Sequence, residues 1–439
     1  MLSNLRALGP NERLMLHHLR RLGSLAKADL ARATELSSQS ASVIINRLLD
    51  EKLVRKLEAV RGRVGQPSQP IALNPDGAYA IGIHIGRRSL EVMLLDLTGQ
   101  ARFRAEVVYP HPEVDAVFAA IASQIDVIVA QLGASGAARL CGIGVAAPLA
   151  LGTWHQLLGQ MPEQARQWAN VDIRARLQAM TTLPVVFAKD TAAACVAELL
   201  AGRGRDLPDY LYVYLDALAG GSLVLGGRPH GGAHGNAGAL GSMPLRSAAG
   251  ERGVSSGSSG SSGTSGISGI SGTSGTSGTS GTSGLDRPSG SSGSNGAGIQ
   301  RGAEERGGLP AQLLSVASLA MLEQRYTEAG LEVDAARDER ALAAPWSDFT
   351  HAWANEAADA LAYAVCNAAC VVDLDAVIVD GKLWRGLLAL LLARVETALA
   401  RYDWSGVDRP PVLAGEVGVD ANVIGAAYLA LHAAFAPVP

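Results

Sequence analysis

Residues 11–49 hold three runs in which apolar side chains recur every three or four positions, the spacing of one face of a helix. Asn11, a capping residue type, precedes Leu14, Leu16, Leu19 and Leu22 and predicts the start of a first helix. Lys27 to Ala33 predicts a second, with Ala28, Leu30 and Ala31 turned inward. The turn Thr34-Glu35-Leu36 leads to a third. There Ser37 or Ser38 is the cap, and Ala41, Ile44, Ile45, Leu48 and Leu49 form an i, i+3, i+4, i+7, i+8 stripe. Gln39, Ser42, Val43, Asn46 and Arg47 are left on the opposite face. The pattern then changes: Leu53 to Leu57 and Pro70 to Leu73 read as strands, joined by the basic turn Arg61-Gly62-Arg63-Val64-Gly65-Gln66-Pro67. Three helices and a β-hairpin in this order predict a winged helix-turn-helix.

From Tyr79 the pattern is α/β. Strands are expected at 80–85, 90–96, 142–146, 185–187, 210–215, 221–225 and 376–379. Helices are expected at 113–132, 192–201, 386–401 and 420–434. Residues 252–299 break the order with a Ser/Gly/Thr repeat that offers almost nothing to a core. It reads as a flexible insert, with a coil span of about 35–40 Å. The domain division that follows is 1–75, 76–251, the disordered Ser/Gly-rich insert 252–299, and 300–439.

Length and composition add bounds. A chain of 439 residues suits two or three domains, and 48% hydrophobic residues are enough for sizeable cores. Aromatics are 5% against 51 glycines, which favours closely packed helices and glycine turns. The net charge of −4 hides an asymmetry: residues 1–70 hold 12 Lys+Arg against 6 Asp+Glu, the remainder 25 against 35. A basic head on an acidic body fits a head that meets a polyanion. Cys141, Cys195, Cys366 and Cys370 are scattered and do not form a secreted disulfide framework. Cys366 and Cys370 are expected as small buried residues of an Ala-rich helix. No secretory signal and no uninterrupted apolar stretch of membrane-spanning length is found, so a cytoplasmic location without membrane association is expected.

A recognition helix needs small or hydrogen-bonding residues at its N-terminal end, so that its backbone can approach the major groove. Ser38, Gln39, Ser40 and Ser42 meet that need, and Asn46 and Arg47 reach phosphates or bases from the next turns. Arg61 and Arg63 sit where a wing enters an adjacent minor groove. The bland reading is a helical module for protein contacts, with the serines as caps and the arginines as a solvated loop. The order of the features and the basic excess favour double-stranded DNA.

At the junction from Gly65-Gln66-Pro67 to Ile81-Gly82-Ile83-His84-Ile85-Gly86, and again at Gly415 to Ala427, the chain resembles the ROK family of repressors, open reading frames and kinases. The resemblance is strongest to its repressor branch, similar to N-acetylglucosamine and xylose repressors. It implies an actin-like (ribonuclease H-like) sugar-kinase fold of two lobes behind the head. It also implies positions for chemistry, and most have changed. Where the family's kinases carry Asp-x-Gly-x-Thr for Mg²⁺ and phosphate, this chain has His84-Ile85-Gly86-Arg87-Arg88. The family's sugar-binding Asn-Asp pair is Lys189-Asp190 here, leaving Asp190 to accept sugar hydroxyls or to pair plainly with Lys189. Ala219-Gly220-Gly221-Ser222 matches the second phosphate loop. In Gly235 to Leu245 the family's sugar Glu is Ala239, its zinc-ligating His is Ser242, and the Ser/Gly tract follows where the cysteine cluster belongs.

The expectation is therefore a transcriptional regulator, a repressor, with no catalytic residue, no cofactor and no metal. A homodimer or homotetramer on a palindromic operator is expected, with Asp190 and Lys189 as effector contacts. The effector stays open between a sugar or sugar derivative, another small molecule, and none. An ATP-dependent sugar kinase is the alternative function.

Overall fold

The structure is a computed structural model that describes residues 6–58, 69–148, 166–245 and 310–437. The wing arginines Arg61 and Arg63 and the Ser/Gly insert lie outside the described residues.

The head contains α1 (Pro10–Leu22), β1 (Ser24–Leu25), α2 (Lys27–Ala33), α3 (Ser38–Asp50), β2 (Val54–Lys56) and β3 (Ile71–Leu73). Helix α1 starts two residues earlier than a cap at Asn11 implies, and its cap is Gly9. Pro10 occupies the first helical position, where its missing N–H costs nothing, and Glu12 accepts from the Gly9 N–H at 2.8 Å. The cap of α3 is as expected: Ser37 Oγ accepts from Ser40 N at 3.1 Å. Strand β3 pairs antiparallel with β2 and also with the two-residue β1, at Ser24↔Ala72 and Leu25↔Ile71. The buried stripe of α3 (Ala41, Ile45, Leu48) joins Met15, Leu16, Leu19 and Leu30 in one core.

The body has two five-stranded sheets of the same design. The first contains β4 (Tyr79–Ile85), β5 (Ser89–Asp96), β6 (Ala101–Val108), β7 (Leu140–Ala147) and β8 (Val185–Lys189), in the order β6-β5-β4-β7-β8. β6, β5 and β4 are antiparallel; β7 and β8 join in parallel. The second contains β9 (Tyr210–Leu215), β10 (Ala219–Leu225), β11 (Arg228–His230), β12 (Ala376–Gly381) and β13 (Val412–Ala414), in the order β11-β10-β9-β12-β13. Again three strands are antiparallel and two are added in parallel. This repeated meander with parallel additions is the two-lobed fold that the family resemblance implies.

Alternation in the first strand of each lobe explains its layers. Ile81, Ile83 and Ile85 face α4 (Val114–Ala137), while Ala80 and Gly82 face α11 (Ala421–Phe435). Leu211, Val213 and Leu215 face α8 (Leu319–Glu328), α9 (Ser347–Ala369) and α10 (Arg385–Leu399); Tyr210, Tyr212 and Tyr214 face α6 (Asp190–Ala201). Two short helices, α5 (Ile173–Met180) and α7 (Leu314–Ala317), precede β8 and α8 respectively. Helices α6 and α11 pack on each other between the sheets, so closely that a Cβ on Gly425 would lie 1.7 Å from the Ala193 carbonyl oxygen.

Three sequence expectations change. Strands β1, β6, β11 and β13 and helices α5, α7 and α8 are additional to the expected elements. Helices α4 and α11 with its preceding turn (Gly418–Phe435) are long and apolar enough to span a membrane by length and composition, with mean hydropathies of 1.7 and 1.2. Within the fold, α11 is largely buried and α4 lays Val117, Phe118, Ile121 and Ile128 on the first sheet. Finally, Cys370 is exposed and Cys366 half-buried, not buried as expected. They sit at the C-terminal end of α9, where the helix leaves the second lobe's core. Cys141 and Cys195 are buried, and burial pushes both thiols up to about 12.

Candidate functional site

Among the described residues, the groups that the sequence singles out lie in two places, the outward face of α3 and the cleft between the lobes.

The inward stripe of α3 fixes which residues face out. Ser38, Gln39, Ser40, Asn46 and Arg47 are exposed and Ser42 is half-buried. Arg47 is not wholly available: its guanidinium lies 3.2 Å from the buried Glu12 carboxylate on α1. Arg6 donates to the same carboxylate at 2.6 and 2.8 Å and also pairs with Glu51. The Arg6 hydrogen bond, opposed by burial, holds Glu12 at about 2. Arg47 thus braces α3 on α1 while its 55% exposed side chain lies on the polar face.

The head is not a loosely tethered module. Its core residues and Val423, Ala427, Tyr428, Leu431 and Phe435 of α11 form one hydrophobic cluster. Arg20 donates to the Leu97 carbonyl at 3.0 Å and lies 5.9 Å from the Tyr428 ring centroid. Arg13 donates to the Ala436 carbonyl at 3.1 Å. The other end of α11 reaches the cleft, where Asn422 Nδ2 donates to the Asp190 carbonyl at 3.0 Å.

In the cleft, the penultimate residue of β4 is the buried His84, whose Nδ1 is 2.9 Å from Glu91 Oε2 on β5. Lys382, just after β12 of the other lobe, donates to Glu91 Oε1 at 2.5 Å and lies 3.5 Å from His84 Nδ1. Burial would raise the Glu91 carboxyl, but the His84 hydrogen bond and the His84 and Lys382 charges outweigh it and hold it at about 2. Burial likewise lowers Lys382, and Asp216 and Glu91 overcome it to give a net rise. Asp190, the first residue of α6, accepts from Thr191 N at 2.6 Å, and burial pushes its carboxyl up against the opposing pull of His84 and Lys189. Among the described residues no ion pair joins Lys189 to Asp190, so the plain salt-bridge alternative is not formed.

A second cluster crosses the cleft at its rim. Arg87 and Arg88, in the β4–β5 turn, lie 2.7 and 3.3 Å from the buried Glu323 of α8, and Arg337 lies 2.6 Å from the same carboxylate. Burial lowers the Arg87 guanidinium, against the opposing charge of Glu323, and the neighbouring Arg88 and Arg337 add to the lowering.

Sequence reasoning placed His84, Arg87, Arg88, Lys189 and Asp190 in this region and missed Glu91, Glu323, Arg337 and Lys382. Glu91 did leave a signal, a lone carboxylate inside the apolar strand Leu90 to Leu95. Lys382 left none, because its partner comes from a strand nearly three hundred positions away. The segment that resembles the zinc region ends in a short turn, Leu240–Ser242, with Ser242 exposed and no thiol in residues 235–245. These donors do not fit a tetrahedral zinc site. Among the described residues, no group of three or more His, Cys, Asp or Glu side chains could hold a metal ion.

A winged helix-turn-helix head on a two-lobed actin-like body defines a class in which a nucleic-acid-reading module is joined to a sugar-kinase fold. The chain belongs to the ROK family, whose model matches residues 80–433; a MarR family model matches residues 8–63. A transcriptional regulator of Mycobacterium bovis is 29% identical over 51% of this chain and 51% of its own length. The xylose repressor of Bacillus subtilis is 23% identical over 54% of this chain and 60% of its own. The chain therefore spans about half the length of the curated relatives it matches. A crystal structure of a ROK family transcriptional regulator, described as a homologue of the Escherichia coli Mlc protein, superposes with a TM-score of 0.64 at 19% identity over 97% of both chains. A ROK family glucokinase from Streptomyces griseus, in complex with glucose and AMPPNP, gives 0.52 at 18% identity over 80% of this chain and 99% of its own.

Proposed function

We propose that this protein is a DNA-binding transcriptional regulator, a cytoplasmic repressor, that reads double-stranded DNA with α3 and the wing. The observation that carries this reading is the division of α3 into a buried apolar stripe and an outward face of Ser38, Gln39, Ser40, Ser42, Asn46 and Arg47. Ser and Gln side chains at a helix start let the backbone approach a groove and offer donors and acceptors to base edges. Arg61 and Arg63 extend the contact to the minor groove and the phosphates. The names of the mycobacterial and Bacillus relatives support the same reading. A homodimer or homotetramer places two heads on a palindromic operator, and a small effector, a sugar or sugar derivative, binds near Asp190 and Lys189.

The same reading excludes sugar phosphorylation. The residues present do not fit a nucleoside triphosphate with its divalent cation. The strand position that would offer a carboxylate is His84, the Lys382 ammonium stands against Glu91, and Arg87 and Arg88 are engaged by Glu323.

Two measurements test the proposal. Full-length protein should enrich a palindromic sequence from a random duplex library; recovery of no preferred sequence overturns the regulator reading. With Mg-ATP and glucose, N-acetylglucosamine or xylose, no sugar phosphate should form and Mg-ATP should not raise the melting temperature. Clear turnover would favour the kinase instead.

A further inference from the structure

The outward face of α3 carries one residue that the fold itself does not use. Val43 is 55% exposed, whereas its neighbours Ala41 and Ile45 are buried and Ile44 packs against the head core. A β-branched residue on an open helix surface lowers helix propensity slightly and buries nothing in return. Its position is central. Gln39 and Ser40 lie one turn before it and Asn46 and Arg47 one turn after, so it is an apolar spot ringed by polar and cationic side chains. Among the described residues of the head, the other large apolar side chain this exposed is Leu22, the last residue of α1.

In the major groove, thymine alone among the four bases presents a methyl group, and an aliphatic side chain is its complement. Resting on the DNA-reading proposed above, we infer that Val43 is a specificity-determining residue that packs on the 5-methyl of one thymine in each half-site. A valine held in one rotamer by the helix loses almost no side-chain entropy on making that contact. The surrounding Gln39, Ser40, Ser42 and Asn46 supply the hydrogen bonds that set the register, and the basic excess of the head matches the phosphates flanking the groove.

The experiment uses the full chain and the duplex that it enriches from a random library. Each thymine of that duplex is replaced in turn by uracil, which removes only the methyl. Affinity is then measured by fluorescence anisotropy for the wild type and for Val43→Ala. One thymine per half-site should lose about fourfold in wild-type affinity as uracil, the worth of one buried methyl. Val43→Ala should bind the unmodified duplex about fourfold weaker per half-site and be indifferent to that uracil, with a melting temperature that is not lowered, because the side chain is exposed and Ala favours the helix. If no uracil position weakens the wild type, or the sensitive position stays sensitive in Val43→Ala, the inference is overturned while DNA reading stands. If no sequence is enriched at all, the reading beneath it falls as well.

Discussion

Gly144 shows how one missing side chain sets the spacing of the body. A Cβ there would lie 1.7 Å from the Ala426 carbonyl oxygen of α11, a backbone atom that cannot swing aside. Gly144→Ala should therefore push α11 off β7 and cost about 1–3 kcal/mol, read as a lower urea midpoint. Gly231→Ala, where the new Cβ meets nothing within 4 Å, is the control and should change stability by less than about 0.5 kcal/mol. Equal effects at the two positions would show that close packing is not the cause. Ser37→Ala removes the cap of α3 and should cost about 1 kcal/mol, with hydrogen exchange speeding first at the start of that helix. At this scale the sequence was partly legible. Strand glycines announce a close approach, but not what approaches. Asn11 looked like the cap of α1 because its type favours that role; Pro10 and the reach of Glu12 back to Gly9 moved the cap two residues earlier.

Helix α11 is the element on which the rest converges. Its N-terminal end holds Asp190 through Asn422, its middle lies on β4 and β7, and its C-terminal half shares a core with the head. A disturbance in the cleft thus has a rigid path to the helix-turn-helix, an expectation that needs a coupling measurement rather than proximity alone. Arg20→Met keeps the aliphatic stem but removes the hydrogen bond to Leu97 and the charge beside Tyr428. It should cost about 1–2 kcal/mol and raise exchange in α1 and at the C-terminal end of α11, leaving the second lobe protected. Uniform loosening of the molecule would argue against a local junction. The elements that periodicity caught were the strongly buried ones, such as β4, β9 and α11. Strand β6 escaped, although Phe103, Ala105 and Val107 alternate with Arg102, Arg104 and Glu106, since a half-exposed edge carries a weak apolar signal. The two residues of β1 are too few for any period; only pairing with β3 makes them a strand.

Across the whole molecule, the distinctive feature is a cleft bridged by the chain's own charges. Lys382 of one lobe meets Glu91 and His84 of the other, and Arg87 and Arg88 reach over to Glu323. Half-buried pairs of this kind gain little net stability over apolar packing, yet removing one partner strands a charge and is costly. Glu323→Gln would remove the carboxylate charge that Arg87, Arg88 and Arg337 share, and Lys382→Met would remove the ammonium that Glu91 shares with His84. The double variant should let the lobes part, seen as a larger radius of gyration in small-angle scattering. The sign of the pH effect follows from Glu91. Its carboxyl is held at about 2 against an ordinary value of 4.5, so its contribution is fully present above about pH 4.5 and fades as the pH falls toward 2. Acidification through that window should therefore expand the wild type and lower its melting temperature, and Glu91→Gln should flatten that part of the profile. A radius unchanged in the double variant, or an acid profile identical in Glu91→Gln, would mean that apolar contacts between α6 and α11 hold the lobes together and that the ion pairs merely decorate a cleft closed by packing.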